Sequence, residues 1–348
     1  MTDIEDMTRA RAEARQSLQQ ALDEIKRVIV GQDAMLERLL VSLLAGGHVL
    51  LEGVPGLAKT LTVKTLASVL GGSFGRIQFT PDLVPADLVG TRIWRPDTGR
   101  FDTQLGPVFH NFVLADEINR APAKVQSALL EVMQEEQVTI GGVSHRVPSP
   151  FIVMATQNPI ESEGTYPLPE AQVDRFLMKV VVDYPSTGEE AAVVGRSLEP
   201  APRIRECLSL TDLERHASAV ASVAVDRSMI GYAVALTDAT RHPDKYGLRE
   251  IAPMIEFGAS PRGPIGLIQA SRALALLRGR THVDVRDIRD LAPDILRHRL
   301  VLSYDALSDG VTADALLEQI LGTVAPPGAN RLIRGEDAEA GSQVVRRV

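Results

Sequence analysis

A glycine-rich segment between a strand-like stretch and a helix-like stretch carries the clearest chemistry in this sequence. It reads Gly53-Val54-Pro55-Gly56-Leu57-Ala58-Lys59-Thr60, follows the apolar residues 48–51 and precedes a helical pattern over residues 61–70. A loop placed in this way points backbone N–H groups and a helix N-terminus at one anion, while its lysine reaches the β- and γ-phosphates of a nucleotide. The next hydroxyl can ligate Mg²⁺. The segment therefore predicts a nucleoside triphosphate site.

Ala58 departs from the strict form of this motif, which has glycine immediately before the lysine. We expect Ala58 to enter the following helix with φ near −60°, a value that alanine adopts as easily as glycine. On this interpretation the substitution Ala58→Gly is nearly neutral for activity.

Two acids follow a second apolar segment, residues 112–115. Asp116 could hold Mg²⁺ through water, and Glu117 could orient and polarise the attacking water, because phosphoryl transfer depends mainly on positioning and charge. An Asp-Glu pair after a strand is by itself more often a solvated turn. Its place behind a phosphate loop favours a catalytic role, since ligands bind at the carboxyl ends of parallel strands.

Three further polar residues occur in the order that ATP hydrolysis requires. Asn158 follows the apolar residues 151–157 and could hydrogen-bond water or the γ-phosphate, although an asparagine before proline is also a common turn residue. Arg175 lies in Ala171-Gln172-Val173-Asp174-Arg175-Phe176, and Arg262 begins a helical pattern in the second half of the chain. Each arginine alone is more often a surface residue, so the evidence comes from the set.

The elements that must position these residues alternate between short apolar strands and helices. We predict strands near residues 49–52, 76–79, 112–116, 151–157 and 177–182, with helices at 59–70 and 121–134 between them. This alternation predicts an α/β fold, a parallel sheet covered by helices on both faces. Residues 80–104 interrupt it as a short helix and a hairpin, and residues 137–146 as a second hairpin around Gly141-Gly142.

After Tyr184-Pro185 the pattern is helical. We predict helices at residues 187–197, 211–220, 227–241, 263–278, 285–302 and 312–321, with Thr211 and Asp284 as N-caps. The predicted domains are an αβα nucleotide-binding core with an N-terminal helix at 1–184, a helical lid at 185–325, and a tail at 326–348 that we expect to be mobile.

Composition excludes several classes of function. The 348 residues include one cysteine, Cys207, so neither an internal disulfide nor a cysteine-based metal cluster is expected. The formal net charge of −8 argues against nucleic acid as a partner. No apolar run reaches the ~18 residues that span a bilayer, and the acidic N-terminus does not look like a secretion signal, so we expect a cytoplasmic protein without membrane insertion.

The order of these motifs resembles that of AAA+ ATPases of the MoxR group, over about residues 28–302. The matching segments are the loop with Gly-Leu-Ala-Lys-Thr, Asp116-Glu117-Ile118-Asn119-Arg120-Ala121 with Leu129-Leu130-Glu131, Ala155-Thr156-Gln157-Asn158-Pro159, Asp174-Arg175-Phe176 and Gly258-Ala259-Ser260-Pro261-Arg262. The two insertions resemble the helix-2 insert and the hairpin before sensor 1 that mark the clade of MoxR proteins, magnesium chelatase motors and dynein-like motors.

The resemblance implies a role for each matching residue. Asp116 and Glu117 would be the Walker B pair and Asn158 sensor 1, while Arg175 would be an arginine finger acting on a neighbouring subunit's nucleotide and Arg262 sensor 2. Thr60 and Asp116 would hold Mg²⁺. Arg120 could face the adjacent subunit or be a surface cation. The residues expected to bind ATP are Val30, Gly31, Gln32, Gly53, Val54, Pro55, Gly56, Leu57, Ala58, Lys59, Thr60, Leu61 and Asp116.

The function implied is Mg²⁺-dependent ATP hydrolysis in a homo-oligomer, a hexameric ring, that remodels or matures a client protein. The family implies a partner with a von Willebrand factor A domain and, in some cases, insertion of a metal or cofactor. Two alternatives remain: the motor subunit of a metal chelatase, and a nucleotide-gated scaffold with little turnover. Glu117, Arg175 and Arg262 together count against the scaffold.

Overall fold

The computed structural model describes residues 2–160, 164–200 and 202–327, and for residues 2–7 it describes the backbone alone. The chain divides into two compact units. The first comprises the residues up to Val223 together with Arg272–Thr281, and the second comprises Ala224–Ser271 and the residues from His282 onward. Among the described residues, no helix combines the length and the apolar character needed to cross a bilayer.

A five-stranded parallel sheet forms the centre of the first unit, as predicted. The strands in spatial order are β2 (Phe74–Gln78), β5 (Phe112–Asp116), β8 (Ile152–Gln157), β1 (Val49–Glu52) and β9 (Met178–Val181). The central strands are buried except at their last residues, which explains their continuous apolar sequences. Their carboxyl ends therefore deliver Glu52, Asp116 and Gln157 to one edge of the sheet.

Helices surround this sheet. In the first unit they are α1 (Thr2–Lys26), α2 (Asp33–Leu44), α3 (Lys59–Val69), α5 (Ala123–Glu135), α6 (Glu170–Val173), α7 (Thr187–Ser197) and α8 (Leu210–Val220). The first insertion is α4 (Pro85–Val89) followed by the antiparallel pair β3 (Gly90–Arg95) and β4 (Arg100–Leu105), and the second is the hairpin of β6 (Gln137–Ile140) and β7 (Val143–Arg146). Both insertions were predicted.

The second unit is mainly helical but contains elements that the sequence pattern did not predict. Its helices are α9 (Arg227–Arg241), the first part of α10 (Arg262–Leu277), α11 (Val285–Leu296), α12 (Tyr304–Ser308) and α13 (Ala313–Thr323). The predicted helix 285–302 ends early, because residues 297–299 form a 3₁₀ turn and β11 (Val301–Leu302) pairs with β10 (Ile255–Phe257). Apolar residues continue beyond α11 at Leu300, Val301 and Leu302, so spacing alone does not reveal the end of the helix.

The first compact unit extends beyond the predicted boundary at residue 184. Helix α8 contacts α1 and α2 and buries Leu213 and Val220, so α7 and α8 belong with the sheet rather than with the second unit. The N-cap of α8 is Ser209, in a capping box with Asp212, and not Thr211, whereas Asp284 caps α11 as predicted. The predicted tail lies outside the described residues from 328 onward.

Candidate active site

The phosphate loop and the ends of three neighbouring strands enclose a cavity of about 370 Å³. Strands β1, β5 and β8 are adjacent and parallel, so the loop after β1 faces the polar residues that end β5 and β8. The residues lining the cavity are Pro55, Gly56, Leu57, Ala58, Lys59, Thr60, Leu61, Asp116, Glu117, Thr156, Gln157 and Asn158. We call this cavity the cleft. The structure thus brings the predicted loop, the two acids and Asn158 together.

The loop needs two residues with positive φ. Gly56 has φ +87°, which glycine adopts without strain, and Ala58 has φ +54° and ψ +17° as the N-cap of α3. The expected helical φ for Ala58 is therefore wrong: the chain turns through the left-handed region before α3 begins. Gly53 is required for a different reason, since a Cβ there would lie 2.7 Å from the Val182 carbonyl oxygen.

Lys59 is folded back onto its own loop. Its ammonium group donates to the Gly53 carbonyl and, at 3.2 Å, to the Val54 carbonyl. Burial lowers the pKa of Lys59, while the charges of Asp116, Glu117 and Glu52 act in the opposite direction. Among the residues that the structure describes, the ammonium has two carbonyl partners, and phosphate oxygens can replace them with a gain in charge complementarity.

Asp116 is held by three side chains at once. Thr156 donates a 2.6 Å hydrogen bond to its Oδ1, while Arg76 and Thr60 contact Oδ2 at 2.7 Å and 3.4 Å. The Thr156 hydroxyl also accepts from the Glu117 amide at 2.8 Å. Neither Arg76 nor Thr156 was singled out from the sequence, and the only signal available was their place on β2 and β8.

Glu117 occupies a strained backbone position. It has φ +56° and ψ +51°, which is uncommon for a residue with a side chain and clusters at functional sites. Its Oε2 accepts from Gln78 at 3.0 Å and lies 2.9 Å from Nε of Arg120. Gln78 of β2 is paired in register with Asp116 of β5, and this pairing brings Gln78 beside Glu117, the residue after Asp116. The catalytic candidate is therefore engaged by neighbours that a ligand would have to displace.

Asn158 supplies a buried group with unused hydrogen-bonding capacity. The residue is 5% exposed, and its Oδ1 accepts from the Ile160 amide at 3.3 Å. Its Nδ2 is buried and finds no acceptor in the part of the chain that the structure describes. A buried unpaired donor is costly, and an acceptor oxygen in the cleft would satisfy it. This orphaned amide fits a bound phosphate or its attacking water.

A second, more apolar cavity of about 390 Å³ shares the loop residues 55–58 with the cleft. It is lined by Val30, Gln32, Pro55, Gly56, Leu57, Ala58, Tyr184, Pro185, Glu190, Val193 and Val194. Val30 and Gln32 were expected near adenine, and an apolar slot beside the phosphate loop is suited to a nucleobase. The contributions of Tyr184, Pro185 and α7 were missed, because Tyr184-Pro185 was interpreted as a domain boundary.

Gly31 does not line the second cavity, but it lies between two residues that do, Val30 and Gln32. Its φ is +67°, and a Cβ would lie 2.6 Å from Oε1 of Glu189, the residue that forms the N-terminal capping box of α7 with Ser186. The Gln32 side chain donates to the Asp183 carbonyl at 3.0 Å. The segment 30–32 is therefore attached to the start of α7.

The residues that line the cleft include neither of the two candidate arginines. Arg175 follows α6 and is half-buried, and its guanidinium makes no hydrogen bond or ion pair within the described residues. Arg262 is the exposed first residue of α10, in the second unit, and its amide donates to Ser260 Oγ at 3.1 Å. In the described ranges, no cluster of three His, Cys, Asp or Glu residues could hold a metal by itself.

The sequence matches two family models. Residues 48–178 match the ATPase family associated with various cellular activities (AAA), and residues 249–320 match the AAA lid domain. A chaperone, MoxR1 of Mycobacterium tuberculosis, is 56% identical over 314 residues, covering 90% of this chain and 83% of that protein. The chain belongs to the MoxR family of AAA+ ATPases.

Other relatives agree with the MoxR assignment. The protein MoxR of Methylorubrum extorquens is 32% identical, covering 87% of this chain and 93% of that one. The crystal structure of a candidate ATPase from Cytophaga hutchinsonii superposes with a TM-score of 0.89 at 45% identity, covering 94% and 99% of the two chains. As a MoxR-type AAA+ protein the chain binds nucleotide, hydrolyses ATP and has a chaperone-like function.

Proposed function

We propose that the chain is a Mg²⁺-dependent ATPase that works in a ring, shares each ATP site between two subunits and uses hydrolysis to remodel a client protein. One observation carries this proposal. Lys59, Asp116, Glu117 and Asn158 meet around one cleft, whereas the Arg175 guanidinium makes no hydrogen bond or ion pair with the described residues of its own subunit.

In the binding step, Lys59 leaves the carbonyls of Gly53 and Val54 and takes the β- and γ-phosphate oxygens. The backbone N–H groups of the loop donate hydrogen bonds to the phosphate oxygens. Thr60 and Asp116 are the residues that would hold Mg²⁺, since one carboxylate, one hydroxyl and phosphate oxygens are a suitable set of ligands for this ion. A Mg²⁺ ion bound there would supply positive charge that offsets the charge of the phosphates. The nucleobase lies in the apolar cavity bordered by Val30 and α7.

In the hydrolysis step, Glu117 leaves Gln78 and Arg120 and orients a water against the γ-phosphorus. The water oxygen forms a bond to phosphorus as the bond to the β,γ-bridging oxygen breaks, and Glu117 accepts the proton before phosphate receives it. The orphaned Asn158 amide donates to this water or to a γ-phosphate oxygen. The products are ADP and inorganic phosphate.

Arg175 completes the site of the neighbouring subunit in this proposal. A cation supplied in trans stabilises the charge that develops on the γ-phosphate and makes hydrolysis depend on assembly. We assign Arg262 as the lid arginine that senses the γ-phosphate of the bound ATP. Six subunits in a ring, as in the AAA+ resemblance, give every site one finger.

The work done is remodelling of a client protein. The name of the chaperone MoxR1 supports a client that is itself a protein. We propose a partner with a von Willebrand factor A domain that delivers the client, with metal or cofactor insertion as one form of the maturation. A motor acting in a metal chelatase shares the same site chemistry, so the identity of the delivered client separates the two.

Complementation between two inactive variants tests the shared site. Arg175→Ala keeps its nucleotide site and lacks a finger, while Lys59→Ala keeps its finger and cannot bind ATP. Alone, Arg175→Ala is expected to bind ATP normally and lose ~10³-fold in turnover, the effect of a trans arginine. Equal mixtures are expected to recover part of the activity. Wild-type turnover by Arg175→Ala, or no recovery although mixed oligomers form, contradicts the proposal.

A trapped complex tests the client. Glu117→Gln should bind ATP without hydrolysing it to ADP. A ring held in this ATP-bound state should retain the partner and the client when it is purified from its native host. Lys59→Ala serves as the control that cannot enter the state. A chelatase subunit recovered with Glu117→Gln alone would assign the protein to the chelatase motors.

A further inference from the structure

Gln126, on α5, is a fully buried amide outside the cleft lining. Its Nε2 lies 3.0 Å from the carbonyl oxygens of Ala121 and Tyr166 and 3.3 Å from that of Ile118. Its Oε1 is buried without a hydrogen-bond partner in the described chain. An unsatisfied buried acceptor destabilises the fold. Gln126 is thus better explained by what it positions than by its contribution to stability.

One side of this contact is the turn that bears Glu117. Ile118 begins the 3₁₀ turn Ile118–Arg120 directly after Glu117, and Ala121 is the C-cap of the turn. Arg120, in the same turn, lies against the Glu117 carboxylate. The Gln126 amide therefore holds both ends of the segment that sets the position of the catalytic acid.

The other side is the strap, residues 164–169, which leads to Arg175. The Tyr166 amide donates to the Asn119 carbonyl at 2.6 Å, so the strap is attached to the turn a second time. After the strap, Gln172 of α6 donates to Ser127 Oγ at 3.0 Å, and the Arg175 amide donates to the Gln172 carbonyl at 3.1 Å.

The residue after Arg175 is anchored as well. Phe176 is fully buried in the same apolar core as Val125 and Leu129 of α5. Arg175 thus lies between α6, which is hydrogen-bonded to α5 through Ser127, and Phe176, which is buried in the apolar core to which α5 contributes. A displacement of the Glu117 turn relative to α5 has a short, hydrogen-bonded route to Arg175.

We propose that Gln126 is a positioning residue that makes the Glu117 turn and the Arg175 strap move as one unit. This inference rests on the proposed function, in which Glu117 serves the subunit's own ATP and Arg175 serves the neighbour's. Rearrangement of Glu117 on ATP binding then resets the finger presented to the next subunit. Adjacent sites are coupled through one buried side chain, and turnover is cooperative in ATP.

The test adds the substitution Gln126→Leu to one or the other of the two complementing variants, Lys59→Ala and Arg175→Ala. Leucine fills a similar volume and donates no hydrogen bond. Lys59→Ala/Gln126→Leu mixed with Arg175→Ala reports on the finger alone, and Arg175→Ala/Gln126→Leu mixed with Lys59→Ala reports on the Glu117 side alone. We expect each mixture to recover at least ~10-fold less activity than the parent mixture, because misplaced catalytic groups cost of this order or more. Gln134→Leu, at an exposed glutamine of the same helix, is the matched control and should leave both mixtures unchanged.

Binding and exchange measurements separate positioning from unfolding. Gln126→Leu alone should keep its ATP affinity, lose kcat rather than raise KM, and lose the sigmoidal dependence on ATP, while the Tyr166 amide exchanges its hydrogen faster.

Unchanged recovery in both mixtures overturns the inference. Loss in one mixture only overturns the coupling and leaves Gln126 attached to that segment alone. If the parent mixture itself fails to recover, the shared site fails and the inference falls with it.

A second variant covers the case in which Gln126→Leu does not fold. In Gln126→Glu, burial raises the pKa of the introduced carboxyl, and only its protonated form can donate, through its single O–H, to one of the carbonyl oxygens that Gln126 contacts. Turnover relative to the wild type is then expected to fall as the pH rises from about 6 to about 9. Gln134→Glu should follow the wild-type profile. Parallel profiles for all three proteins contradict the inference.

Discussion

Ala58 is the residue whose conformation differs most from the expectation. A left-handed backbone costs a residue with a Cβ roughly 1–2 kcal/mol, and Ala58 has φ +54°. Ala58 adopts this conformation between Gly56, which also has a positive φ, and the first residue of α3. The departure from the strict motif is therefore a strained version of the same loop and not a neutral replacement.

Ala58→Gly is consequently expected to stabilise the folded protein by up to about 1 kcal/mol, since relief of strain exceeds the extra freedom of glycine in the unfolded chain. Denaturant unfolding measures this, and calorimetric titration should find ATP affinity retained. Glu136→Gly, at a C-cap with φ +51°, tests the same relief away from the cleft. A loss of stability at Ala58→Gly with a gain at Glu136→Gly would show that the alanine methyl group makes a contact of its own.

Glu117 has the second strained backbone in the cleft, and its replacement by glutamine keeps the shape of the side chain. Glu117→Gln should bind ATP with near wild-type affinity and hydrolyse it at least ~10²-fold more slowly, as expected for loss of a positioned catalytic base. Single-turnover hydrolysis and calorimetry check the two parts. Glu131→Gln, at an exposed acid on α5, is the control. Near-normal hydrolysis by Glu117→Gln would transfer water activation to another group.

At the scale of elements, the neutral imidazole of His48 connects β1, β8 and α5. Just before β1, its Nδ1 accepts from the Val153 amide of β8 at 3.0 Å, and its Nε2 then donates to the Met133 carbonyl of α5 at 3.1 Å. Burial lowers the pKa of His48 to about 4 from 6.5, because a charged ring would be desolvated and would turn a second N–H towards a donor.

This histidine predicts a loss of stability in weak acid. Between about pH 6.5 and about pH 4 the unfolded chain binds a proton at His48 that the folded chain refuses, so the free energy of unfolding should fall by up to about 3 kcal/mol as the pH drops through that window. Denaturant titrations at a series of pH values measure it. His48→Gln, whose amide can make both hydrogen bonds without titrating, should have a shallower dependence. Equal slopes would assign the effect to carboxylates.

Gly31 couples a loop to helix α7. Gly31→Ala should cost about 1 kcal/mol through its positive φ and about 1 kcal/mol more by displacing Glu189 from the capping box of α7. Because α7 supplies Val193 and Val194 to the apolar cavity, affinity for ATP should also fall. Gly46→Ala is a close control, with φ +66° and no atom within 4 Å of the added Cβ. Equal effects on stability and unchanged ATP affinity would exclude the Glu189 contact as the cause.

At the scale of the whole molecule, sharing of sites predicts that turnover depends on protein concentration. Dilution that dissociates the oligomer removes the neighbour's Arg175 from every site, so ATP hydrolysed per subunit should fall while ATP binding per subunit persists. Sedimentation and hydrolysis measured over one dilution series test this. Arg175→Ala should show low turnover at every concentration. Wild-type protein that is monomeric and fully active at high dilution would exclude the trans mechanism.

Much of the site could be predicted because its signals are local. The loop, the acids and Asn158 each follow an apolar strand directly, and parallel strands put such residues at one edge. The α/β alternation and both insertions were also confirmed. The contacts of Arg76, Gln78 and Gln126 could not be predicted, since each joins segments about forty residues apart and their residue types are ordinary for surfaces.

The sequence by itself determined the order of strands and helices, the phosphate loop and the acids, because hydrophobic period and residue type act over a few neighbouring positions. Tertiary structure decided the rest. The pairing of β2 beside β5 brings Gln78 to Glu117, and packing of α8 on α1 extends the first unit to Val223. The turns that follow β1 and β5 place Ala58 and Glu117 at positive φ. These features depend on strand register and on contacts between distant segments, whose free energies no local window of sequence contains.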